Sequence, residues 1–154
     1  MSDKILTIIY GTETGNGRGV AASVQKRAEK NGVKAMVFDM ETYDAALVGT
    51  LTHPVLFIVS TWDDGLPPAK ARGFFRALKM SSDLQSLKYT ILALGDPEYP
   101  QFCKAGDTLD AILKSLDAKS FMPVEKLGPD FQVSMMGWSK KFWQTLATIY
   151  GVAK

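Results

Sequence analysis

The sequence is poor in the side chains that proteins use for chemistry of their own. It has one cysteine, Cys103, and one histidine, His53, in 154 residues. A lone cysteine cannot close a disulfide within the chain, which points to a reducing compartment and a cytoplasmic location. One histidine leaves no His-rich metal site and no spare partner for a Ser-His-Asp arrangement. Long apolar runs are also missing, and none approaches the roughly 20 residues that cross a bilayer. The stretch Ile5-Leu6-Thr7-Ile8-Ile9 is too short for a secretory core and no cleavage site follows, so neither membrane insertion nor export is expected. Charge of one sign is scarce too. Lys+Arg at 18 and Asp+Glu at 16 leave a net charge of +2, and no nucleic-acid partner is expected. With 46% hydrophobic residues, that balance excludes disorder and fits one domain over residues 1–154. What remains is chemistry carried by a bound cofactor, or none.

What is present is an alternation of short apolar runs with longer amphipathic ones. Strands are expected at Lys4–Tyr10, Lys34–Asp39, Pro54–Ser60, Tyr89–Leu94 and Ser120–Lys126. Near-continuous runs such as Val55-Leu56-Phe57-Ile58-Val59 suit strands covered on both faces. Helices are expected at Gly17–Asn31, at Thr42–Gly49 from a capping threonine, at Pro68–Met80, at Phe102–Leu116 and at Ser134–Tyr150. In the last, Trp138, Phe142, Leu146 and Ile149 form one stripe. Pro123 marks the fifth strand as an edge or a bulge. The repeating βα pattern predicts an α/β protein with a parallel sheet and helices on both faces. Ligands of such sheets bind beyond the carboxyl ends of the strands. His53, at the opposite end, reads as structural.

Strand one runs into Gly11-Thr12-Glu13-Thr14-Gly15-Asn16-Gly17, and a helix follows. Glycines let backbone N–H groups turn toward a ligand, and the helix start adds partial positive charge. A P-loop is excluded because its lysine is absent. A dinucleotide site is the better rival, with Asp39 ending strand two, but 154 residues leave little room for a substrate site beside it. Thr12, Thr14 and Asn16 offer short donors suited to a monophosphate. The loop alone leaves open a plain glycine-rich turn with Thr/Asn capping.

The loops after strands three and four carry Ser60-Thr61-Trp62-Asp63-Asp64-Gly65 and Leu94-Gly95-Asp96-Pro97-Glu98-Tyr99-Pro100-Gln101-Phe102-Cys103. Each holds a large aromatic where loops usually hold small polar residues. Two rings flanking one crevice can stack on both faces of a planar ligand.

These three segments together resemble the FMN-binding loops of the flavodoxin family. The third loop is most similar to the FMN domains of diflavin reductases, such as the sulfite reductase flavoprotein, and to the small MioC-type flavodoxins. The resemblance implies a flavodoxin-like three-layer sandwich whose five-stranded parallel sheet has the order 2-1-3-4-5. It also implies non-covalent FMN, with Thr12, Glu13, Thr14, Gly15, Asn16 and Gly17 at the phosphate. Ser60, Thr61, Trp62, Asp63, Asp64 and Gly65 would line one side of the ring, and Leu94, Gly95, Asp96, Tyr99, Phe102 and Cys103 the other. Two positions depart from the family pattern: Gly17, where many members have threonine or alanine, and Asp63, where many have glycine.

The implied function is an electron carrier, not an enzyme. It would move single electrons between an NAD(P)H-dependent flavodoxin reductase and a redox acceptor protein, through the semiquinone and hydroquinone states of FMN, and work as a monomer. The alternatives are an FMN-dependent NAD(P)H:quinone reductase and a flavodoxin-like docking module. Asp63, Asp64, Asp96 and Glu98 form an acidic rim near the ring, while Lys26, Arg27, Lys140 and Lys141 lie on distant helices. Only that rim is expected to guide docking.

Overall fold

The computed structural model describes residues 4–11, 16–60, 68–81, 83–95, 103–128 and 131–151. Strands β1 (Ile5–Gly11), β2 (Lys34–Asp39), β3 (Pro54–Ser60), β4 (Lys88–Leu94), β5 (Lys119–Ser120) and β6 (Glu125–Leu127) form one sheet. Helices α1 (Asn16–Lys30), α2 (Arg72–Lys79), α3 (Lys104–Ser115) and α4 (Phe131–Ile149) connect or follow them. The strand order is β2-β1-β3-β4-β5, with β6 also paired to β4, and every pairing is parallel.

Side chains of period two divide each strand between two cores. Ile9, Phe57, Val59, Tyr89 and Ile91 pack with Phe74, Phe75 and Leu78 of α2 and with Leu109, Ile112 and Leu113 of α3. Leu6, Ile8, Leu56, Ile58 and Leu92 face the other way, onto Val20, Val24 and Ala28 of α1 and Trp138, Phe142 and Leu146 of α4. The molecule therefore has the three layers expected, with α2 and α3 on one face and α1 and α4 on the other.

Three local readings change. The fifth strand is two short pieces, β5 and β6, lying on either side of Pro123, which has no N–H to give a ladder. The short helix after β2 is a 3-10 turn over Ala45–Thr50, capped by the Asp44 carboxylate accepting from the Ala46 N–H at 3.0 Å, and not by Thr42. The helix expected from Pro68 opens as a 3-10 turn, Ala69–Ala71, before α2 begins. In addition, α4 starts three residues earlier than its apolar stripe suggested.

Candidate functional site

Parallel pairing brings the carboxyl ends of β1, β3 and β4 side by side. Gly11 is level with Val59, and Ser60 with Leu94. The three motif-bearing loops leave the sheet from these adjacent ends. The first connection, α1, lies on one face, and α2 and α3 lie on the other. A crevice opens where such connections part, between β1 and β3.

Close packing fixes the exit of β1. A Cβ on Gly11 would lie 2.6 Å from the Met40 Sδ and 2.8 Å from the Ala71 Cβ, so the strand end fits under its neighbours only without a side chain. Beyond it, α1 begins at Asn16, with Gly17 buried in its first turn. That turn contains no acidic residue, so no carboxylate within it offsets the partial positive charge of the helix start. Arg18 adds a full charge there. Its Nε donates to the Tyr10 hydroxyl at 3.3 Å, which favours the charged guanidinium. Arg18 escaped the sequence reading. Its signal was a base in a first turn free of acids.

At the β4 end, Leu94 is buried and the Gly95 N–H donates to the Leu127 carbonyl at 3.0 Å, tying the loop's root to β6. Cys103 marks where the chain returns. It is fully buried, adopts a left-handed φ of 56° and immediately precedes α3. Its thiol donates to the Ala93 carbonyl at 3.2 Å, with the Leu127 carbonyl at 3.9 Å. Burial pushes the thiol up to about 11, so it stays protonated at neutral pH and is no nucleophile. Ser60 ends β3 half-buried. The expected site residues Thr12, Glu13, Thr14, Gly15, Thr61, Trp62, Asp63, Asp64, Gly65, Asp96, Tyr99 and Phe102 lie outside the described residues, as does the Asn16 side chain.

The described part fits a phosphate-bearing ligand. A first helical turn with a buried glycine, no acidic residue of its own and Arg18 beside it suits an anion. Among the described residues no group of His, Cys, Asp and Glu could hold a metal ion, and no helix is long and apolar enough to cross a membrane.

The chain is 35% identical over 135 residues to the sulfite reductase [NADPH] flavoprotein alpha-component of Shewanella oneidensis, and 35% identical over 138 residues to that of Vibrio cholerae. These alignments cover 86% and 88% of this chain but 22% of each relative, so the chain spans about a fifth of the length of the curated relatives it matches. Among solved structures, a short-chain flavodoxin associated with a non-canonical PDU bacterial microcompartment superposes with a TM-score of 0.83 at 22% identity. It covers 97% of this chain and 99% of its own. The flavodoxin of Streptococcus pneumonia TIGR4 gives a TM-score of 0.83 at 24% identity, over 94% and 98%. Both similarities speak to the fold, which they share. The sheet order and a match of residues 8–136 to the flavodoxin family model agree, and the chain belongs to the flavodoxin family.

Proposed function

We propose that the chain binds FMN and carries single electrons between an NAD(P)H-dependent flavodoxin reductase and an acceptor enzyme. One observation carries the reading: three motif-bearing strand ends lie side by side, and the helix that follows the first of them has no acid in its first turn. The curated relatives, named as flavoproteins, support a flavin as the ligand. When bound, FMN supplies reversible one- and two-electron chemistry.

The chain's part is to bind and orient. Thr12, Glu13, Thr14, Gly15, Asn16 and Gly17 are proposed to hold the phosphate against the start of α1. Ser60, Thr61, Trp62, Asp63, Asp64 and Gly65 are proposed on one side of the ring. Leu94, Gly95, Asp96, Tyr99, Phe102 and Cys103 are proposed on the other. Of these, Cys103 acts through the backbone it anchors, since its thiol is engaged by strand carbonyls. No side chain is assigned as a catalytic acid or base. The protein is proposed to work as a cytoplasmic monomer, one domain over residues 1–154.

The absorption spectrum of the purified protein, with acid extraction of the chromophore, tests the reading. A yellow protein releasing about one FMN per chain is expected. A colourless protein that also fails to take up added FMN overturns it. Stopped-flow mixing with NADPH alone should leave the spectrum of the loaded protein unchanged. Rapid bleaching would mean an NAD(P)H-oxidising enzyme instead of a carrier.

A further inference from the structure

From Gly65 to Ser82 the chain contains four bases, Lys70, Arg72, Arg76 and Lys79, and no acid. The rest of the molecule carries 14 bases against 16 acids, so this one segment accounts for the net positive charge. Folding concentrates it. The buried side of α2 is Phe74, Phe75 and Leu78, with Ala71 just before it. Helical spacing then sends Arg76 and Lys79 outward, and both are exposed, as is Lys70. None of these three forms an ion pair among the described residues, where the ion pairs are Lys114–Asp110 and Lys126–Asp107. Gly73 and Ala77 lie between the bases, also exposed, and nothing stands within 4 Å of where a Gly73 Cβ would be. Met80, 83% exposed, closes the ridge with an apolar contact.

We propose that this outward ridge of α2 is the docking surface for an acidic protein. The partner's redox role rests on the function proposed above, although its binding does not. Ala71, at the head of the segment, packs against Gly11 at the exit of β1, so the Lys70 end of the ridge lies toward the site. Carboxylates of the partner would meet Lys70, Arg76 and Lys79, and the low floor of Gly73 and Ala77 lets its backbone come close. A membrane is disfavoured, because the apolar side of α2 is committed to the core and unavailable for insertion. Nucleic acid is disfavoured because the rest of the chain carries 14 bases against 16 acids, which leaves few phosphate contacts beyond this segment. An acidic rim alone therefore does not describe how a partner is guided. A basic ridge that starts near the exit of β1 is proposed to take part as well.

The full chain, isotope-labelled and without added flavin, is titrated with a redox-inert, cadmium-substituted acidic blue-copper protein as the probe. Amide shifts confined to residues 69–80 are expected. The affinity should fall about tenfold between about 20 and 200 mM salt, and at least about tenfold in the variant Lys70→Glu, Arg76→Glu, Lys79→Glu. The variant Lys26→Glu, Lys140→Glu, Lys141→Glu makes the same change of net charge on other helices and should stay within about twofold. Equal loss in both variants, or shifts centred elsewhere, overturns the proposal. So does tighter binding through the same residues of a single-stranded RNA 12-mer or of vesicles of equal phosphatidylcholine and phosphatidylserine. FMN uptake is followed separately, so loss of the flavin reading leaves the docking result standing, and the reverse.

Discussion

Cys103 meets two demands that few side chains meet together. Its backbone is left-handed, which costs a residue with a Cβ roughly 1 kcal/mol, and its thiol is sealed from water with a carbonyl to donate to. An unfolded thiol ionises near 9 and this one near 11, so the folded state is favoured as long as the thiol keeps its proton. That contribution is complete below about 9 and is lost as pH rises through about 11, a fall of about 2 kcal/mol. Chemical denaturation between neutral pH and pH 11 should show it, and Cys103→Ala should remove that share of the alkaline slope. In the native protein at pH 8, thiol reagents should label Cys103 at least about a hundredfold more slowly than in denaturant. Gly106, one turn into α3, answers to space. A Cβ there would sit 2.5 Å from the Ala93 Cβ. Gly106→Ala should cost about 1–3 kcal/mol, read as a lower urea midpoint at unchanged slope, because α3 must lift from β4.

Among the elements, α4 shows how a stripe becomes a core. Trp138 and Phe142 stack with centroids 4.5 Å apart and planes at 16°, and Phe142 and Leu146 are essentially fully buried. Phe142→Ala should destabilise by about 3–5 kcal/mol in the same unfolding assay, since α1 and the sheet cannot close over the space left. The Trp138 Nε1 is buried with no partner among the described residues. An unpaired buried N–H is itself a penalty, so Trp138→Phe should lose less than about 2 kcal/mol despite the smaller ring. A larger loss would mean that the indole N–H has a partner. At the far end of α4, the Tyr150 hydroxyl donates to the Ile5 carbonyl at 2.6 Å and pins the helix to the start of β1. The stripe of α4 could be read in advance because helical periodicity repeats over many residues. The split of the fifth strand could only be anticipated as an edge or a bulge, since Pro123 marks a break without saying how the pieces re-pair.

At the scale of the whole molecule, function rests on the arrangement of ends. Parallel strands place three strand ends side by side, and the first turn of α1 contains no acid. Gly17→Asp would place a carboxylate in that turn and oppose a bound phosphate. FMN titration followed by fluorescence quenching should show affinity at least about tenfold weaker. Riboflavin, which lacks the phosphate, should be affected far less. If both ligands weaken alike, Gly17 serves packing and not the anion.

The sequence by itself determined the alternation of strands and helices, the two-faced character of the sheet and the three motif-bearing segments that follow β1, β3 and β4. Those properties come from short-range periodicity and from residue types whose chemistry is local. Tertiary structure alone decided that Gly11 must lack a Cβ, that the Cys103 thiol turns to strand carbonyls, and that Arg18 reaches Tyr10. It also gathered Lys70, Arg76 and Lys79 into one exposed ridge along α2 and the turn before it. Each of these depends on which atoms of distant segments come within a few ångströms. No spacing along the chain encodes that distance, because packing sets it.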